Sequence, residues 1–217
     1  MMLTIRLCIV ATKREQKMSR VLPILFNMEM VRSILDGRKS CTRRIIKPQS
    51  QGYFEVSEEP LYIYDTDGKQ GKITPPYQPG DILYVRETWK QAPNGYYYYE
   101  DWQRSDIADI TKWKPSIHMP KEAARIWLKV TDVRAERLQE ITAESALLEG
   151  TDKYIHLNGK FDKNAILTSF MGIWNSTIKK SDFDRYGWDT NPYVWVIEFE
   201  RCEKPKEEKG NDSGDSK

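Results

Sequence analysis

The stretch Asp36-Gly37-Arg38-Lys39-Ser40-Cys41-Thr42-Arg43-Arg44 decides how this chain reads. Upstream of it, Met28, Val31, Ile34 and Leu35 recur at helical spacing behind Asn27, a good helix cap. Gly37 is the residue type that ends such a helix in the left-handed conformation. Downstream, Lys39 to Ile46 returns to extended chain. The stretch is therefore a helix–strand junction that gathers Arg38, Lys39, Arg43 and Arg44 around the Thr42 hydroxyl, with Arg32 and Lys47 beside them. Clustered cations attract phosphate, and guanidinium planes stack on bases. A helix C-terminus also favours cations, which accounts for Arg38 and Lys39 but not for Arg43 and Arg44 beyond it. Lys39 and Thr42 are three apart, so in a straight strand they face opposite ways. Bringing them together requires a bend or bulge near Ser40-Cys41.

Working outward, Pro23 to Phe26 reads as a short buried strand, and Pro48 to Tyr77 as an insertion holding one hairpin. Pro79-Gly80-Asp81 is a turn that launches the strand Ile82 to Arg86. Asn94-Gly95 signals a second hairpin, with Tyr96 to Tyr99 on its far arm and two of those rings facing outward. An irregular stretch runs on to residue 118. Arg125 to Val133 alternates Ile126, Leu128 and Val130 against Trp127, Lys129 and Thr131, the pattern of a half-buried strand. Thr142 caps a short helix ending at Gly150. The strongest helix is Asp162 to Ile178, striped by Ile166, Phe170, Trp174 and Ile178. Tyr193 to Arg201 is the closing strand. Five or six strands with two or three short helices predict an α+β protein, a small mixed barrel with flanking helices. Insertions fall near 48–77 and 90–118. Residues 21–202 form the folded body. Residues 1–20 read as a disordered or spurious extension, with Met18 as the expected start, and 203–217 as a disordered charged tail.

Composition sets limits. The chain has 217 residues, enough for one well-filled core and two domains at most. Its net charge is +2, so any nucleic-acid site must be local. Seven Trp and twelve Tyr exceed what stacking alone needs, and most must be core rings. Cys8, Cys41 and Cys202 are far apart and odd in number, which argues against a disulfide framework and for a reducing cytoplasm. Neither His118 nor His156 has a metal-ligand partner nearby in sequence, so no metal and no cofactor are expected. No apolar run is long enough to span a membrane.

The run Gly37-Arg38-Lys39-x-x-Thr42-x-Arg44 behind an amphipathic helix resembles the signature of the ASCH family. The resemblance continues through Pro79-Gly80-Asp81-Ile82-Leu83-Tyr84-Val85-Arg86-Glu87, then Leu138-Gln139-Glu140-Ile141-Thr142 leading to Gly150, then the aromatic strand Val194 to Phe199. Arg86-Glu87-Thr88-Trp89 and the long closing strand are most similar to ASCH proteins of bacteriophages and prophages. The resemblance implies a barrel related to the PUA domain, and RNA or a modified nucleoside as partner. One branch of the family removes the acetyl group of N4-acetylcytidine with a Lys, a Thr and a Glu. By position these fall on Lys39, Thr42 and Glu149.

That assignment makes Lys39, crowded by arginines, a base; Thr42 or water the nucleophile; and Glu149 the proton shuttle to the leaving amine. Arg38, Arg43 and Arg44 become substrate-binding residues, with Arg86, Glu87 and Trp89 as further lining of the cleft. Arg86 and Glu87 also read as a surface ion pair, and Trp89 as a core ring. A non-catalytic RNA-binding module uses the same cleft without chemistry. A ribonuclease is the remaining reading, without a histidine pair or metal cluster to support it. A monomer is expected.

Overall fold

A computed structural model describes residues 19–49, 54–58, 61–66, 71–102, 112–151 and 162–206. The expected start at Met18, Cys8, His156 and most of the charged tail lie outside the described residues. The folded body reaches back to Arg20, which the sequence assigns to the extension. Its Nε donates to Asp81 Oδ1 at 2.9 Å, and its carbonyl accepts from the Ile82 N–H at 2.8 Å.

Five strands form one mixed sheet in the order β1-β5-β8-β9-β2: β1 (Val21–Leu25), β5 (Ile82–Arg86), β8 (Trp127–Arg137), β9 (Tyr193–Cys202) and β2 (Cys41–Ile45). β1 and β5 run parallel, and the other neighbours are antiparallel. β3 (Phe54–Glu58) with β4 (Leu61–Asp65), and β6 (Trp89–Ala92) with β7 (Gly95–Tyr98), form the two hairpins expected from the turn residues. The helices are α1 (Met28–Leu35), α2 (Tyr99–Trp102), α3 (Ala143–Leu148), α4 (Lys163–Thr177) and α5 (Phe183–Tyr186). The class is α+β.

Among the described residues no ladder closes β1 onto β2, so the array is a sheet with two ends and not the closed barrel the strand count suggests. The physical reason is α1. It leaves the end of β1 and returns into β2, and its Val31 and Ile34 fill the core where a ladder would close. Side chains span the gap. Arg44 Nη2 donates to the Leu25 carbonyl at 2.8 Å, and the Tyr77 hydroxyl donates to the Pro23 carbonyl at 2.8 Å.

β9 is buried on both faces, which explains its run of consecutive apolar residues. Trp195, Ile197 and Phe199 enter the main core with Leu83, Val85, Leu128 and Val130. Val194 and Val196 enter a second core, built with Cys41 and with Phe170 and Trp174 of α4. Two sequence expectations change here. The first insertion is tied into the main core, since Ile63 is buried and the Phe54 ring meets Tyr193 edge-on at 4.7 Å. Trp127, placed by alternation on the outer face with Lys129 and Thr131, is buried. The segment after β5 covers that face and builds a third cluster from Trp89, Met119 and Trp127. Tyr96 and Tyr98 pack against this cluster, and all four residues Tyr96 to Tyr99 are half-buried.

Candidate functional site

Asn27 caps α1 as its residue type predicts, its side chain accepting from the Met30 N–H at 2.9 Å. At the other end Gly37 adopts φ +74°, and the next two N–H groups, of Arg38 and Lys39, both donate to the Ser33 carbonyl at 2.8 and 3.0 Å. This cap turns the chain so that Lys39 lies before β2, bridged to Glu149 instead of within the ladder. Ser40 continues the register, its N–H donating to Leu148 and its carbonyl accepting from Phe199.

Thr142 caps α3 by accepting from the Ser145 N–H at 3.1 Å, and α3 stops at Glu149-Gly150, where Gly150 has φ +90°. A Cβ on Gly150 would stand 2.9 Å from both Cβ and Oγ of Ser33. The ends of α1 and α3 therefore touch, and this contact delivers Glu149 to Lys39. Gly150→Ala is expected to lower stability by about 1–3 kcal/mol, from positive φ and collision together. Urea denaturation should show Ser33→Gly in the same chain recovering the collision part and leaving the backbone part.

Lys39 Nζ donates to Glu149 Oε2 at 2.8 Å, to the Cys41 carbonyl at 2.7 Å and to the Glu149 carbonyl at 3.1 Å. Glu149 Oε1 accepts from Arg43 Nη1 at 3.1 Å, and Arg43 Nη2 reaches Ser145 Oγ at 2.9 Å and Glu136 Oε2 at 3.3 Å. The side chains of Lys39, Arg43 and Glu149 are 0%, 1% and 7% exposed. A carboxylate thus bridges two buried cations. Thr42, Arg43, Arg44 and Glu149 share the wall of a hollow of about 70 Å³, whose apolar side includes Met30, Phe170 and Trp174.

The Phe26 ring backs this group, with Lys39 Nζ 5.6 Å and Arg44 Cζ 5.3 Å from its centroid. Burial pulls the Arg44 guanidinium below its ordinary value, against the opposing influence of Tyr77 and Glu149. Burial first, and the Glu149 carboxylate second, push the Cys41 thiol up to about 12. Its folded value lies above the unfolded one, so this contribution to stability is intact below about pH 9 and is lost as pH rises toward 12. Thermal melts between pH 8 and 11 should fall more steeply in the native chain than in Cys41→Ala.

Lys39 pairs with Glu149, and Glu149 shares the wall of the hollow with Thr42, Arg43 and Arg44. The structure rearranges the electrostatics. Lys39 is gripped by a carboxylate and two carbonyls, not crowded by arginines. Arg43 is consumed in buried pairs, and Arg38 turns outward to Asp36 at 2.9 Å. Arg86, Glu87 and Trp89 are not on the wall of this hollow. Arg86 lies 5.7 Å over the Tyr84 ring. Glu87 is not a surface ion pair; it is buried and held by both prongs of Arg125, at 2.9 Å each. Burial pushes its carboxyl upward, with Arg125 opposing. Trp89 is 3% exposed, so its ring is core and offers no face to a base.

Sequence reasoning missed Glu136, Ser145 and Phe26. Glu136 and Ser145 carry no local signal. Phe26 does: an apolar residue just before a cap, matched by Val31 further on, is the hydrophobic-staple pattern, and both lie in the main core. No helix among the described residues is long and apolar enough to cross a membrane. Comparison of the chain with protein-family models, curated proteins and solved structures finds no match.

Proposed function

We propose that this chain is an ASCH-type protein with a PUA-like architecture that binds RNA or a modified nucleoside and hydrolyses an amide on the base. The observation that carries the reading is the 2.8 Å contact between Lys39 Nζ and Glu149 Oε2, with Glu149 and Thr42 on the wall of one hollow. The hollow, about 70 Å³, is small and suits a short acyl group better than a whole base. In this reading the acyl group enters and the nucleoside stays at the mouth.

Glu149 takes a proton from the attacking water, or from Thr42, as the new C–O bond forms. Lys39 steadies the oxyanion. The C–N bond then breaks and the proton passes from Glu149 to the departing amine, which frees the amino base. The water route leaves the carboxylate directly. The Thr42 route leaves an acyl ester that a water, giving its proton to Glu149, cleaves to the carboxylate as Thr42 recovers its hydroxyl proton. Arg43 keeps Glu149 in place and is not free for phosphate. Contact with a nucleic-acid backbone falls to Lys47, which is exposed over the Tyr186 ring at 5.0 Å, and to Arg38, half-buried and paired with Asp36.

One observation favours a second reading, a binding module without chemistry. An ammonium has three N–H donors, and Lys39 already places all three on protein acceptors. Incubation with N4-acetylcytidine separates the two. Cytidine release by the native chain, lost in Lys39→Ala and Thr42→Val, supports hydrolysis. Release no faster than in Lys39→Ala removes it. Salt-dependent RNA affinity whose slope drops by about 2 in Arg38→Ala/Lys47→Ala then leaves the binding module standing.

A further inference from the structure

Beyond Phe26, on the side away from the Glu149 hollow, lies a second and larger hollow of about 220 Å³. Its wall is part apolar, from Phe26, Met28, Val31 and Tyr99, and part polar, from Glu87 and Ser116 among others. It is about three times the volume of the Glu149 hollow, and a flat heterocyclic ring is the size of ligand it suits. Mostly apolar walls with a few convergent polar groups define a small-molecule site.

The Glu87 carboxylate sets what such a ring must offer. Each oxygen accepts one bond from Arg125, at 2.9 Å, and a carboxylate oxygen has a second lone pair. Arg125 is fixed in turn by Asp101 at 2.7 Å and by the Tyr98 ring 4.1 Å away. Glu87 is thereby held in place at the wall of the hollow, its side chain 3% exposed. Its charge is matched by Arg125, and that of Glu100 by Arg32, so a free cation gains little there. A neutral flat ring with an N–H donor gains a charge-assisted hydrogen bond and stacks on aromatic walls.

We infer that the hollow between Phe26 and Glu87 is a nucleobase subsite selective for bases bearing an exocyclic amino group. It rests on the nucleoside-binding part of the function proposed above and not on the hydrolysis. The base belongs either to a free nucleoside or to a residue within an RNA strand.

Calorimetric titration of the full chain with adenosine and with purine riboside, which lacks only the amino group, reads the selectivity directly. Adenosine is expected to bind about tenfold tighter or more, because a site built around a buried acceptor rejects a ligand that leaves it unpaired. Ser116→Trp, which fills the hollow, should remove that binding, and Glu87→Gln should shrink the preference. Repetition with oligo(A) separates the two sources, a gain over adenosine pointing to a strand. Equal affinity for the two nucleosides overturns the inference. So does adenosine binding that survives Ser116→Trp but falls with Lys39→Ala, while leaving the nucleoside-binding reading intact. Absence of binding by every nucleoside and oligonucleotide removes both.

Discussion

Glu149→Ala should destabilise the fold by about 3–5 kcal/mol, the range for removing one partner from a buried ion pair. The substitution leaves Lys39 and Arg43 with no carboxylate between them, at sites where their side chains are 0% and 1% exposed. Arg43 retains Glu136 and Ser145, but Lys39 retains only the carbonyls of Cys41 and residue 149. Lys39 should therefore suffer most. A chain carrying Lys39→Met with Glu149→Gln removes the buried charge and keeps an acceptor for Arg43. It should be more stable than Glu149→Ala, and the cycle of single and double variants should show coupling of about 2–3 kcal/mol. In melting temperature the single change corresponds to about 6–20 °C. Additive single and double variants in urea denaturation would mean that the short contact between Lys39 and Glu149 contributes nothing to the fold.

Phe26→Ala should have an effect of similar size by another route. The ring is buried in the main core, 6.1 Å from Phe199, and removal of a buried Phe side chain costs about 3–5 kcal/mol. Its loss also withdraws the π face near Lys39 and Arg44, worth about 0.5–2 kcal/mol for each cation. Phe26→Leu refills most of the space without the π face, so packing and cation–π shares can be separated. The leucine variant should lose about 1–2 kcal/mol. Phe26 lines the larger hollow, and the cations on its ring line or support the smaller one. The alanine variant should thus also open a passage between the two hollows. Xenon binding by NMR would report the enlarged space. Unchanged stability would show that the ring is not the partition between the hollows.

Much of the fold is legible locally. Asn27, Thr142 and Asp162 sit at the starts of α1, α3 and α4, because the three types place an oxygen where the first free N–H groups need one. Asn94-Gly95 makes its hairpin, and the Ile166, Phe170, Trp174 stripe faces the second core. Alternation failed at Trp127 because it reports which residues share a face, not whether another segment covers that face. Strand counting suggested a closed barrel; α1 and the Arg44 bridge occupy the gap between β1 and β2, a fact of topology that no local pattern encodes.

The candidate site divides in the same way. Lys39, Thr42 and Glu149 follow from the resemblance to the ASCH signature, and the helix ends near them are written in Gly37, Thr142 and Gly150. What the chain's own order could not say is which charge meets which. Glu149 lies 110 positions from Lys39, and Glu136 lies 93 from Arg43. Such pairings exist only once the ends of α1 and α3 meet at Ser33 and Gly150. A cluster of arginines in the sequence therefore became a carboxylate held between two buried cations. Glu87, a surface acid by its neighbours, became the buried acceptor of a separate hollow. Charge partners are set by distance in space, and in this protein that distance is decided by how two helix ends pack.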